Sequence, residues 1–339
     1  IIWDQLGSLV FWMRWRIRHK KLLEFSDRIP GPPTTPILGN AWQLMALSEE
    51  LSPLFGKMIQ EYGDIFRVWL GPDLNIFVSD PDDIKALLTS SKTSNKGPQY
   101  KYIEKLCGVG ILSGSGTIEY KCRKKAVLPN YGKKALQSYG DVIDSEVNDT
   151  VHRMKTRVEG EPFDIYDEVV LGTTYTVCQT LLGLTREQTL NLPDLESFVH
   201  DAHENYLVVF KKMTTWYLQV EPIYWTTKYY QQERRLFKGL KAFTHAILQH
   251  RMKALDAMDH ARKMEILNAE GDQKRNTELS VVDRLVLSQH TSSYDEVLKQ
   301  IFTVFTSSQE ATAKITSFLL LMMAYHPDCQ VGDTLILNL

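Results

Sequence analysis

From Lys133 onward, apolar residues return every three or four positions over long stretches, the spacing that turns one face of an α-helix toward a core. Helices are predicted near Leu136–Val158, Asp164–Leu182, Leu195–Met213, Lys228–Met258 and Tyr294–Tyr325. Polar or proline-containing connectors separate them, and Pro222 interrupts the region between the third and the fourth. Glu265–Glu278 is polar, contains Gly271, and reads as an exposed loop. The last long helix opens with Ser293 and Glu296 in capping-box spacing. Extending for about 48 Å and apolar on most sides, it must cross the middle of a large domain. Lys299, Glu310 and Lys314 leave it no uncharged run long enough to span a membrane.

The first third has a different pattern. Leu51–Tyr62 has helical spacing and ends at Gly63. Ile65–Leu70 and Leu74–Val78 are β-rich runs joined by Gly71-Pro72-Asp73, which predicts a hairpin, and Pro81 opens another helix. Pro30, Pro32, Pro33 and Pro36 fit neither a helix nor a central strand, so residues 28–40 read as a stiff extended hinge. Before it, the apolar run Leu6–Met13 is followed by Arg14, Arg16, Arg18, His19, Lys20 and Lys21. That order is the cytoplasmic flank of a membrane anchor, so residues 1–27 read as an anchor remnant with its basic flank. The competing reading is an interfacial amphipathic helix with Trp3, Trp12 and Trp15 at headgroup level. Both put the chain at a membrane surface.

Composition narrows the function classes. Hydrophobic residues make up 43% and charged residues 24% of the 339, which fits a globular protein with a substantial core. A formal net charge of -2 gives no global attraction to nucleic acid. Cys107, Cys122, Cys178 and Cys329 form no CxxC pair, so neither a disulfide framework nor a zinc finger is suggested. No metal set is predicted: His200, His203 and Glu204 share a helical face, but a solvated face explains them better than a site lacking a third ligand. There is no GxSxG, P-loop or GxGxxG element.

Three elements together carry a family resemblance. The first is Ile29-Pro30-Gly31-Pro32 within the hinge. The second is Tyr120-Lys121-Cys122-Arg123-Lys124, with Pro129 five residues beyond Lys124. The third is Ser307-Ser308-Gln309-Glu310-Ala311-Thr312 in the long helix. From Arg28 to Gln330 the chain resembles the cytochrome P-450 haem-thiolate monooxygenases, especially the family-four fatty-acid-hydroxylase branch of insects and vertebrates. The resemblance implies a mainly α fold with a small β hairpin, here over residues 41–330. It implies haem as cofactor, an NADPH-dependent reductase as electron partner, and a lipophilic, fatty-acid-like substrate. It also implies a place on the cytoplasmic face of the endoplasmic reticulum membrane.

Residue by residue, the resemblance puts Tyr120 and Lys124 at a haem propionate, in positions where the family has tryptophan and arginine. Lysine would act there as a point charge rather than a bidentate fork, and Arg123, one position off, is the other candidate. Ser308 stands where a glycine makes room for dioxygen, and Ser307 where a glutamate can attach to the haem edge. Glu310 matches the family's acid and Thr312 its second threonine, the pair expected to be catalytic, while Ala311 replaces the first threonine. Phe198, Tyr206, Phe210 and Phe305 are expected along the substrate channel, with core packing as the plainer explanation of their spacing.

The family's Glu-x-x-Arg and its cysteine loop do not occur in this sequence. None of the four cysteines is placed to replace the axial ligand, so the chain as written is expected not to form a stable thiolate-ligated haem protein. It reads as the front two-thirds of such an enzyme, marginally folded, with Val331–Leu339 as an aberrant tail of read-through intron sequence. The alternative function is that of a non-catalytic, truncated, membrane-associated protein.

Overall fold

The computed structural model describes residues 12–45, 48–114, 116–158, 160–193, 195–268, 279–288 and 293–330. They group into two compact units. One is built from residues up to Asn95 together with Val209–Thr227, the other from Lys96–Val208 and residues from Lys228 onward. The tail Val331–Leu339 and most of Leu6–Met13 lie outside the described residues.

The first unit is organised by a hairpin. Strands β1 (Ile65–Leu70) and β2 (Asp73–Val78) pair antiparallel, from Ile65 opposite Val78 to Leu70 opposite Asp73, which leaves Gly71-Pro72 as a two-residue turn. Helix α1 (Ser48–Tyr62) covers one face, and Leu51, Met58, Phe66 and Val68 form a small core there. Phe77 stacks on Phe66 at 5.1 Å between ring centroids. Helix α2 (Pro81–Thr89) starts where Pro81 predicts, with the Asp80 carboxylate accepting from the amides of Asp82 and Asp83.

The proline segment is stitched to β1. The Arg67 amide donates to Pro30 O at 2.8 Å and its Nε to Ile29 O at 2.9 Å. Asn40 Oδ1 accepts from the Trp69 amide at 2.9 Å, while its Nδ2 donates to Pro33 O. Gly39 bridges to Leu70 at φ +61, where an added Cβ would sit 2.5 Å from Trp69 O, so only glycine fits this close approach.

The second unit is helical. Its elements are α3 (Lys101–Cys107), α4 (Ile118–Val127), α5 (Gly140–Lys155), α6 (Ile165–Thr180), α7 (Leu195–Thr214, which continues into the first unit), α8 (Lys228–Asp256), α9 (Val281–Leu287) and α10 (Tyr294–Tyr325). Helix α10 is the long helix that the periodicity predicts, and the Ser293 side chain caps it by accepting from the Glu296 amide. It packs against α6, α8 and α9, with Phe305 meeting Phe243 at 4.8 Å between rings.

Three local expectations change. The helix expected over Leu136–Val158 is two pieces, Lys133–Ser138 and α5, with Tyr139 between them. Residues His260–Asn268 are helical, so Glu265–Asn268 are not part of the exposed loop expected there; residues 269–278 lie outside the described set. The third concerns the long helix, which is central only in its first half. Val297–Thr306 are buried almost without interruption, whereas Ile315 is 71% exposed and Phe318 65%. Its apolar circumference therefore does not translate into burial along its whole length.

Candidate functional site

The helical unit holds a groove of about 880 Å³ between α4, α5, α6 and α10. One wall is the stripe Val304, Ser308, Thr312, Thr316 and Leu320, every fourth residue along α10. Ile143, Val147, Val151 and Met154 of α5 and Val169, Thr173, Thr176 and Thr180 of α6 form the others. At the end nearest α4, Val127, Leu128, Tyr131 and Lys124 complete it. It is an apolar slot with scattered hydroxyls and two charged side chains, Lys124 and Glu146, the general make-up of a small-molecule site.

The basic segment sorts its own cations. Arg123 is buried, paired with the Glu296 carboxylate and donating to Val109 O, so it is committed to holding the loop after α3 against α10. Lys124, one residue on, is exposed and borders the groove, with its ammonium 6.0 Å from the Tyr120 ring. Tyr120 is half-buried but does not line the groove. Of the two expected propionate cations, Lys124 is therefore the one bordering the cavity.

Ser308 lines the groove, and its hydroxyl lies 3.4 Å from that of Tyr131. Burial pushes the Tyr131 phenol above its ordinary range, so this pair is neutral. The Ser307 hydroxyl donates to Thr303 O and that of Thr312 to Ser308 O, which satisfies both donors within the helix and leaves their oxygens to accept.

Glu310 and Thr312 are not brought together. Two residues apart, they face about 200° apart around the helix. Thr312 looks into the groove, while Glu310 lies against α6, accepting from the Tyr166 hydroxyl at 2.8 Å and pairing with Lys314 at 2.7 Å. Burial, then the bond to Glu310, pushes the Tyr166 phenol well above the usual tyrosine range, so it stays a proton donor to that carboxylate.

The expected channel residues scatter. Phe305 is fully buried in the core, and Phe210 is exposed on the part of α7 in the first unit. Tyr206 is half-buried, its phenol pushed well up by burial, with Thr306 as hydrogen-bond partner. The side chains of Phe198, His200, His203 and Glu204 lie outside the described set. Tyr206, Phe210 and Phe305 do not line the groove. Sequence reasoning missed the groove walls on α5 and α6, whose valines and threonines carry no motif.

The chain matches the family described as cytochrome P450 over residues 29–331. It belongs to that family. It is 24% identical over 314 residues to "Probable cytochrome P450 4s3" of Drosophila melanogaster, covering 91% of this chain and 61% of that protein. To "Cytochrome P450 4d2" of the same fly it is 24% identical over 332 residues, 96% of this chain and 64% of the relative. To human "Cytochrome P450 4V2" it is 20% identical over 298 residues, 87% and 56%. The chain thus spans about three-fifths of the length of the curated relatives it matches.

The family's cofactor is haem, and the groove fits part of it. Apolar walls suit a flat hydrophobic body, and the Lys124 ammonium suits a carboxylate at its edge. No groove residue offers a thiolate. Cys107 is buried, with its thiol pushed up to about 11, and Cys178 is fully buried and pushed well up. Both are inert thiols, while Cys122 is half-buried on α4 and Cys329 is exposed.

Proposed function

We propose that this chain forms the oxygen- and substrate-facing part of a haem-dependent monooxygenase that oxidises lipophilic, fatty-acid-like molecules. The observation that carries the reading is the groove beside the central helix, with Lys124 at one end and Ser308 and Thr312 along its wall. Lys124 holds a carboxylate edge of the bound group, the α5 and α6 walls exclude water from its body, and the Tyr131–Ser308 hydroxyls offer a polar contact inside the slot. Glu310, fixed by Tyr166 and Lys314, holds a negative charge on the other side of the same helix. Haem, when bound, supplies the activation of dioxygen, with electrons from an NADPH-dependent reductase. The basic, tryptophan-bearing N-terminal segment supports residence at the cytoplasmic face of the endoplasmic reticulum membrane.

Titration of the chain with ferric protoporphyrin, followed by absorbance and intrinsic fluorescence, tests the assignment of the groove. Saturable binding is expected, weakened about tenfold by Lys124→Glu through loss of a carboxylate partner. It should be abolished by Ser308→Trp, which fills the slot. Binding unchanged in both variants would place the group elsewhere and overturn the reading.

A further inference from the structure

A second cavity, of about 360 Å³, lies in the first unit, between the N-terminal helical residues, the proline segment and the hairpin turn. Its walls are aromatic and apolar: Trp12, Trp15, Trp69, Pro36, Ile37 and Pro72. Trp15 is fixed by edge contact with Trp69 at 5.7 Å and by stacking on His19 at 4.7 Å. Its polar side is Arg16, whose guanidinium rests 4.9 Å from the centre of the Trp12 ring. The same stretch of chain carries Arg14, Arg18, Lys20 and Lys21, of which Lys20 pairs with Glu24 at 3.7 Å.

Ile37 adds an independent observation. It is the one non-glycine residue given a positive φ among those described, at 67°, and it is β-branched, the side-chain type that tolerates this conformation least. The hydrogen bonds between Thr35 and Gly39, 3.0 and 2.9 Å, close the turn around it. The turn leaves this apolar side chain 48% exposed on the pocket wall. A strained position that presents an apolar group to the outside points to a contact made there.

We propose that this pocket binds an anionic glycerophospholipid of the bilayer surface, with acyl-chain carbons among the tryptophans and Ile37 and the headgroup against Arg16. The proposal rests on the membrane-surface reading above and goes further, from general attraction to a built site. Indole rings at headgroup depth and a cation on the rim are what such a lipid would meet.

The test uses the whole chain and short-chain phosphatidylserine and phosphatidylcholine with brominated acyl groups, kept below their micelle concentrations. Quenching of tryptophan fluorescence should saturate with phosphatidylserine at least about tenfold more tightly than with phosphatidylcholine. Arg16→Glu should remove that preference, and Ile37→Gly, which relieves the backbone, should weaken both lipids while folding at least as well. Binding to phosphatidylcholine vesicles with and without phosphatidylserine is measured in parallel. If vesicles bind but the soluble lipids never saturate, or both variants bind them as the parent does, the pocket proposal is overturned and the membrane reading stands. Failure to bind vesicles at all overturns the membrane reading itself.

Discussion

Replacing Arg251 by methionine removes the cation from the most enclosed ion pair described in the helical unit. Arg251 Nε and Nη2 reach the two Asp283 oxygens at 2.9 and 2.7 Å, and Nη1 reaches Gly183 O at 2.5 Å. Asp283 is fully buried, and its Oδ2 also accepts from the Ser280 amide and hydroxyl, both at 2.8 Å, closing the capping box of α9. Arg251→Met deletes three hydrogen bonds and leaves a buried carboxylate with only neutral donors. A buried pair broken from one side costs about 3–5 kcal/mol. Against a total stability of about 5–15 kcal/mol, that is a large fraction. Arg251→Met/Asp283→Asn keeps an oxygen for the Ser280 bonds and removes the stranded charge, so it should recover roughly half of the loss. Urea unfolding followed by far-UV circular dichroism reads both variants, with m-values close to the parent's. A single-variant cost under about 1 kcal/mol, or a double variant no more stable than the single, would refute the claim that Asp283 depends on Arg251.

Gly110→Ala should cost about 2 kcal/mol, because its Cβ would fall 1.9 Å from the Gln300 amide, which is already engaged by Cys107 O and the Ile111 amide at 3.2 Å each. Adding Gln300→Ala should make the two losses clearly less than additive, read by thermal unfolding. The pH dependence should also carry a signature of Cys107. Burial raises its folded-state pKa from 9.0 to about 11, so its contribution is complete below pH 9 and is lost as pH rises toward 11. Urea midpoints of the parent should therefore fall more steeply over this window than those of Cys107→Ala, and parallel profiles would contradict the assignment.

Long periodic segments and their caps were legible in the sequence. Ser293 and Pro81 announce helix starts by local chemistry, and the bounds of α10 match its pattern to the residue. The Pro-Pro-rich segment reads as extended, but its docking on β1 through Arg67 and Asn40 is set by partners about thirty to forty residues away. The same limit hides the division of labour between Arg123 and Lys124. Both are basic residues on one helix, and only the position of Glu296 and Val109 shows which is committed to structure. Side-chain periodicity alone also overstates the burial of α10, because it describes the helix and not what is packed beside it.

The first unit is assembled from two stretches of chain with residues 96–208 between them. On a ribosome making roughly 5–20 residues per second, the hairpin and its helices wait on the order of ten seconds for Val209–Thr227 to emerge. During that interval the unit lacks its second stretch and is open to chaperones and to premature partners. Synthesis order, rather than final stability, then sets when this unit becomes safe from misassembly. Slow translation between Lys96 and Val208 would lengthen that exposure.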